Sequence, residues 1–434
     1  MRLHSRINVL GFGIVFVLMC ANASWAASGG FRIFGSDAEA IGKGGAFTAE
    51  ADNPSAIVFN PAGLTQLKGQ NHVSVGTAVI SPMVDYTDTS GNMTQMRREN
   101  FLVPHVYAVS DFGLDNVAFG VGVNSGFGLS TEWADDSFSQ YHAIKTDLEN
   151  IDNHVAMAYQ VNERLSVGVG AIYEVSKFSK TKNIHQLPGA DGVAQLKGDD
   201  NTLGYTVSAR YELTPQHSFG LLYRSEIEHE YEGKATADSL NNAGTYAFQT
   251  IFGSTNYSTD FVADFTIPQS AVLGYSFTPN EKWRFNFDVE WMDWSSIENE
   301  KVFFPNETDA TRLTFLESLT ASNRDWDSTF TYALGTEYAY NDKLNLRAGY
   351  TYIPSPIPEA NFDTTVPSGD SHAASLGFGY ELREDFTLDM SWMGMFYPDR
   401  DITNNIGSGS GYDLDGTYEN FINIVMATVT YKFP

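Results

Sequence analysis

For most of its length the chain alternates apolar residues with small or polar ones at a period of two. A stretch patterned this way can bury a single face only as a β-strand. Leu165, Val167, Val169, Ala171, Tyr173 and Val175 interleave with Ser166, Gly168, Gly170 and Glu174. Val117 to Val123, Leu344 to Tyr350 and Ala374 to Leu382 repeat the pattern. The joints are as regular as the strands. Brief turns at 111–116, 162–164, 214–217, 278–282, 341–343 and 383–385 alternate with long polar stretches at 131–152, 181–200, 234–260, 297–325, 353–370 and 399–418. A soluble sandwich also alternates, but it has no reason to sort its connections by length. A transmembrane barrel does, with tight turns on one side and long loops on the other.

Counting the runs predicts an all-β, antiparallel transmembrane barrel of about 14 strands. Composition agrees. Aromatics make up 14% of 434 residues although the net charge is −27. A barrel reconciles the two, because only the outer face of each strand meets lipid. Trp291, Trp294, Trp392, Tyr397, Tyr350 and Tyr352 are expected at the interfaces, where Tyr and Trp gather. The last strand, ending Val429, Tyr431, Phe433, is similar to the C-terminal signal of outer-membrane proteins, with Pro434 added after the aromatic. So acidic a chain is no nucleic-acid partner, since phosphate binding needs clustered Lys and Arg.

At the N-terminus, Arg2 and Arg6 precede an apolar run from Val9 to Ala21 and then Ser24-Trp25-Ala26. This reads as a secretory signal, residues 1–26, cut after Ala26. The run is short for an uncleaved anchor, and Leu18-Met19 is too bulky for a lipoprotein site at Cys20. Cleavage removes the only cysteine, which suits an oxidising envelope compartment.

Residues 27–68 do not alternate. Gly42, Gly44, Gly45 and Ala46 lie close together, and Asn53-Pro54-Ser55 and Asn60-Pro61-Ala62-Gly63-Leu64 follow. Read alone, the segment is either a linker or a compact plug inside a barrel formed by residues 69–434. Gly42-Lys43-Gly44-Gly45-Ala46-Phe47, Asp52-Asn53-Pro54-Ser55 and Phe59-Asn60-Pro61-Ala62-Gly63-Leu64 resemble the N-terminal hatch of the FadL/TodX family. Those are outer-membrane transporters of long-chain fatty acids and other hydrophobic compounds. The resemblance continues through Gly126-Phe127-Gly128-Leu129-Ser130-Thr131, Gly220-Leu221-Leu222-Tyr223-Arg224-Ser225 and Leu346-Arg347-Ala348-Gly349-Tyr350 to the C-terminal region. Thr48-Ala49-Glu50 and Ser125-Gly126 depart from the usual pattern.

The resemblance implies a Gram-negative outer-membrane importer, with the hatch motif Asn60, Pro61, Ala62 plugging the lumen. Ligand is caught by the loops and bound in the lumen, and after hatch rearrangement it leaves sideways through a kink in the third strand. Here that kink falls on Asn124, Ser125, Gly126, Phe127 and Gly128, where Asn124-Ser125-Gly126 and Gly128 are small residues that tolerate a bulge. Capture is expected at Trp133, Phe138 and Tyr141 in one loop and at Phe248, Ile251 and Phe252 in another, since exposed apolar clusters mark interaction surfaces. A carboxylate head calls for a cation, and strand phase turns Arg210, Arg224 and Arg347 inward; Lys43 in the hatch is the fourth candidate. The expected partners are a long-chain fatty acid or other hydrophobic ligand, and the lipid and lipopolysaccharide of the outer membrane; the chain is expected to be monomeric. An aromatic-hydrocarbon importer of the same fold, a porin and a surface adhesin are the alternatives. Nothing suggests an enzyme or a cofactor. The nine histidines show no spacing to a serine, and Asp413-Leu414-Asp415-Gly416 is too short for a calcium loop.

Overall fold

The computed structural model describes residues 29–244, 246–407 and 412–434; the signal at 1–26 lies outside them. Alternation becomes a closed antiparallel barrel of 14 strands. In chain order these are β1 (Asn71–Asp88), β2 (Phe101–Ser110), β3 (Val117–Asn124, continued by Gly128–Glu132), β4 (Lys145–Gln160), β5 (Leu165–Ile184), β6 (Gly192–Thr214) and β7 (His217–Arg224 with Ile227–Asp238). The second half comprises β8 (Tyr257–Ile267 with Ser270–Asn280), β9 (Trp283–Met292), β10 (Thr329–Asn341), β11 (Leu344–Ile353), β12 (Ser371–Arg383), β13 (Phe386–Phe396) and β14 (Gly416–Phe433). Each pairs with its neighbour in sequence. β1 closes on β14 from Asn71↔Phe433 to Asp88↔Gly416, so no edge is left to template pairing with another chain.

Outward positions carry the apolar set: Val155, Val169, Leu203, Leu221, Leu273, Leu334 and Leu376 are all exposed. In a bilayer that face meets acyl chains. The inward face is small and polar, with Ser208, Ser276, Ser375 and Thr428 buried.

Two expectations are corrected. The polar stretches read as outer loops are in large part strand: β5 runs on to Ile184, and β6 is 23 residues long, beginning at Gly192. A strand needs only about 9–11 residues to cross a bilayer. Beyond the lipid both faces meet water or protein, so alternation fades while the hydrogen-bond ladder continues. The second correction concerns Trp294, which faces the interior at 2% exposure, packed edge-on against Phe31 with ring centroids 4.8 Å apart. Tyr397 also turns inward, lining a cavity, whereas Tyr350 is exposed on the outer face as expected.

The segment before β1 lies inside this wall. It holds two short helices, α1 (Ala38–Gly42) and α2 (Ala56–Phe59), then a 3₁₀ stretch over Pro61–Leu67. Ile33, Ala38 and Ile41 share one apolar cluster with Ile80, Val103, Met393 and Ile424 of the wall. Ala51, Ile57 and Leu64 share another with Tyr107, Val109 and Ala156. Glycines on the inner face bring wall and segment into backbone contact. A Cβ on Gly349 would sit 2.2 Å from the Gly44 nitrogen, and one on Gly220 2.2 Å from the Thr48 oxygen.

Candidate functional site

Asn60 explains why its tripeptide is so specific a motif. Its extended backbone precedes Pro61 at the first helical position, where the missing N–H costs nothing. Its side-chain oxygen accepts from the Ala62 amide at 3.1 Å, and its Nδ2 donates to the carbonyls of Thr48 (2.7 Å) and Ala209 (3.1 Å). The Ala62 amide also donates to Ser208 Oγ on β6 at 2.9 Å. One asparagine therefore caps its own turn and ties it to both plug and wall.

Charges fasten the opposite side. Lys43 Nζ lies 2.8 Å from Glu50 and 3.2 Å from Glu39. Arg347 reaches Glu39 at 3.1 Å, Glu337 at 2.6 Å and Asp389 at 2.5 Å. Arg284 pairs with Glu50 and, at 2.9 Å, with Asp52. Oxygens of Glu39, Glu50 and Asp52 converge within 4.8 Å of one another, and the Lys43 ammonium already supplies the cation there.

Acids outnumber bases in this cluster. Burial, with the charges of Glu39 and Asp389 nearby, pushes the Asp37 carboxyl up to about 7, against hydrogen bonds from Asn53 and the Ala40 amide. Burial and Glu50 likewise push Asp52 up to about 6 against Arg284. Burial also acts to raise Glu39, but Arg347 and Lys43 overcome it and hold that carboxyl well below the usual range. Asp37 thus keeps its proton in the folded chain at a pH where the unfolded chain, with an ordinary value of 3.8, has released it. Stability from this group is full below about pH 4 and falls as pH rises towards 7, by at most ~4 kcal/mol. Asp37→Asn keeps a good helix cap and removes that slope. The difference in thermal midpoint between pH 5 and pH 8 is expected to narrow in the variant.

The third strand is broken where the sequence placed its kink. Asn124 is opposite Asp152 on β4, and Gly128 is opposite Glu149, so β3 carries one residue more than its partner. Val106–Ser110 of β2 pair with β3, but Phe101–His105 pair with β1 alone and Gly128–Glu132 with β4 alone. The wall is unzipped between those two stretches. The N-terminal segment docks at the break. Ile33 N donates to Gly126 O at 3.0 Å, Gly128 N donates to Phe31 O at 2.9 Å, and Asn124 Nδ2 donates to Ser36 Oγ at 3.0 Å. Phe31 packs into a box of Phe127, Phe265, Trp294 and Trp326. Beside the break lies a lumen cavity, lined among others by Gly126, Phe127, Asp152, His154 and Arg224.

Towards the long loops a second cavity is lined by Phe178, Leu196, Tyr231, Phe265, Phe304 and Leu316. Phe265 belongs both to its wall and to the Phe31 box, so one aromatic layer separates the two cavities. Lys180 and Lys182 also line it, and neither makes an ion pair with a described residue. Its roof is α4 (Ala310–Thr320), capped by Asp309 accepting from the Thr311 and Arg312 amides and packed against α3 (Phe248–Phe252).

The four candidate head-binding cations all have protein partners. Arg347 and Lys43 sit in the plug cluster. Arg224 bridges Asp152 (3.0 Å) and Glu174 (2.9 Å) while its guanidinium lies 5.4 Å over Phe127. Arg210 donates to the Ala49 carbonyl. The capture residues lie at the outer end but not on the outer cavity. Trp133 donates to the Thr364 carbonyl, Phe138 stacks on Tyr86, and Tyr141 donates to Asp191. Phe248 packs on Phe315 of α4, Phe252 on Tyr257, and Ile251 against the same cluster, so this trio buttresses the roof. Lys180, Lys182 and α4 were missed because their stretches read as polar loop. The even-numbered inward phase of Ile172, Glu174, Ser176 and Phe178, carried on past the lipid, would have found both lysines.

A closed barrel, a packed interior segment and cavities on either side of an aromatic layer, the outer one largely apolar, define an outer-membrane transporter of hydrophobic compounds. The chain belongs to the outer membrane protein transport family (OMPP1/FadL/TodX), whose model matches residues 19–433. It is 25% identical over 404 residues to the long-chain fatty acid transport protein of Salmonella typhi, covering 87% of this chain and 89% of that one. A FadL homologue from Pseudomonas aeruginosa has the same fold, with a TM-score of 0.81 at 19% identity, covering 93% of this chain and all of that one. The Pseudomonas putida toluene transporter TodX superposes with a TM-score of 0.69 at 17% identity, covering 95% and 99%. The family places the protein in the Gram-negative outer membrane.

Proposed function

We propose that the chain imports long-chain fatty acids. The observation that carries this reading is the outer cavity, an apolar chamber with two unpaired lysines on its wall. A hydrocarbon needs only the chamber, whereas a carboxylate also needs the cations. The acyl chain gains ~0.8 kcal/mol per buried CH₂, and Lys180 and Lys182 orient the head. The name of the Salmonella typhi relative supports the same substrate.

In this reading residues 27–68 are the hatch and 69–434 the barrel, delivered by a signal cut after Ala26. Ligand entering the aromatic layer displaces Phe31, and with it the strand-like contact of residues 31–33 to the kink. The lumen cavity then opens towards the wall gap at Asn124–Gly128. An apolar molecule leaving there enters lipid rather than water. The chain works as a monomer, since β1–β14 closure needs no second copy. Exposed Lys177, Lys197 and Lys234, beyond the apolar belt, face lipopolysaccharide.

Labelled oleate binding to the purified protein tests the substrate. Lys180→Met with Lys182→Met is expected to weaken oleate by about tenfold or more, because a charge-assisted hydrogen bond contributes ~1.5–3 kcal/mol. Toluene binding is expected to be unchanged. Equal loss of both ligands, or of neither, overturns the carboxylate reading in favour of an aromatic-hydrocarbon importer.

A further inference from the structure

A third cavity lies beside the wall gap towards the long loops. Its walls come from Pro82–Val84 of β1, Leu129–Thr131 of β3, Asn420 and Ile422 of β14, the loop Val366–Ser368, and Met96 and Tyr397. It shares no residue with the outer cavity, and no charged side chain lines it. Ligand sites usually combine such an apolar lining with a few convergent polar groups, and three are present here. Ser368 Oγ, Tyr397 Oη and Asn420 Oδ1 are buried with no hydrogen-bond partner in the protein. The Asn420 amide has a defined orientation, because its Nδ2 donates to the Pro367 carbonyl at 2.5 Å, which leaves Oδ1 as a bare acceptor. Arg400 adds no positive charge for a ligand. Its guanidinium is committed to the carbonyls of Ile357 and Ser368 and to Ser355 Oγ, and lies 4.8 Å over the Phe362 ring.

Buried polar atoms without partners are rare, and three that line one cavity define what completes them. The head must donate to Asn420 Oδ1 and meet the hydroxyls of Ser368 and Tyr397. An ionised carboxylate has only acceptors; it would oppose the amide oxygen and find no cation. A hydroxyl, with one donor and two acceptor lone pairs, satisfies all three atoms. We propose that this chamber is a second ligand site, selective for an uncharged amphiphile whose head donates a hydrogen bond, in chemical class a long-chain alcohol. The tail lies along Val84, Met96, Leu129 and Ile422. The site stands independently of the carboxylate reading.

The test uses the purified full chain in detergent at pH 8, with saturating oleate present, and compares 1-decanol with methyl decyl ether, which accepts but cannot donate. Decanol is expected to bind about tenfold more tightly than the ether, and Ser368→Ala to weaken it by about fivefold, the range for one buried hydrogen bond. Val366→Trp, which fills the chamber, is expected to abolish this binding and leave oleate binding unchanged. Equal affinity for alcohol and ether overturns the proposal, as does decanol binding that survives Val366→Trp. A chamber occupied only by water gives no saturable decanol binding, which overturns it as well. If Val366→Trp fails to fold, as read by heat-dependent gel mobility, the Ser368→Ala and ether comparisons decide.

Discussion

Gly126→Trp is expected to lower uptake of labelled oleate by roughly tenfold or more at equal surface abundance, the effect of raising a barrier by ~1.4 kcal/mol or more. The glycine sits at the break in β3, where its carbonyl accepts from the Ile33 amide. A Cβ there meets only Asp152 Oδ2, at 3.2 Å. A large side chain therefore has room to fold into the lumen cavity beside the wall gap, without disturbing the barrel ladder or the backbone bond to the hatch. Oleate binding to the outer cavity, on the far side of the aromatic layer, is expected to persist. Loss of transport with retained binding is the signature of a blocked exit. Uptake at more than half the wild-type rate would reject lateral exit at this point.

Arg347→Met is expected to release the hatch. Three carboxylates, Glu39, Glu337 and Asp389, converge on this guanidinium, which is 6% exposed. Removing one partner of a buried ion pair costs ~3–5 kcal/mol, because the charge left behind has neither water nor counter-ion. Fourteen-strand closure does not pass through Arg347, so the barrel is expected to keep its heat-dependent gel mobility. The cost falls on α1, which carries Glu39. A cysteine introduced at Ser55, fully buried in the hatch, is expected to react with a membrane-impermeant maleimide in the Arg347→Met background and to be protected otherwise. Protection in both backgrounds would show that the apolar clusters around Ile41 and Ile57 hold the hatch unaided.

The barrel was legible because its signal is local and repeated. Leu165 to Val175 declares its lipid face within eleven residues, and the turn at 162–164 declares the return. Strand ends were not legible. Beyond Lys177 the two faces no longer differ in burial, so Lys180 and Lys182 show their place only if the inward phase of Glu174 and Ser176 is carried past the lipid. Trp294 misled for a related reason. Tryptophan suits a membrane interface and a packed aromatic box equally well, and only Phe31, 263 positions earlier in the chain, selects the box.

Hatch and kink divide in the same way. Asn60-Pro61-Ala62 was recognisable because cap, proline and small residue act on one another at short range. The break at Asn124–Gly128 was foreseeable from small residues in a known place, but its consequence was not. That β2 stops pairing with β3 at Val106 is decided by closure of the wall, and that residues 31–33 occupy the break depends on partners nearly a hundred residues apart.

Taken alone, the sequence determined that this protein is a lipid-facing β-barrel with a non-alternating segment at its head, because periodicity and capping are contacts between near neighbours. Tertiary structure alone decided which charges are spent and which are free. Arg224, Arg347 and Lys43 look as suitable for a ligand as Lys180 and Lys182 do. A cation is available only if no carboxylate reaches it, and that distance is set by closure of the whole barrel.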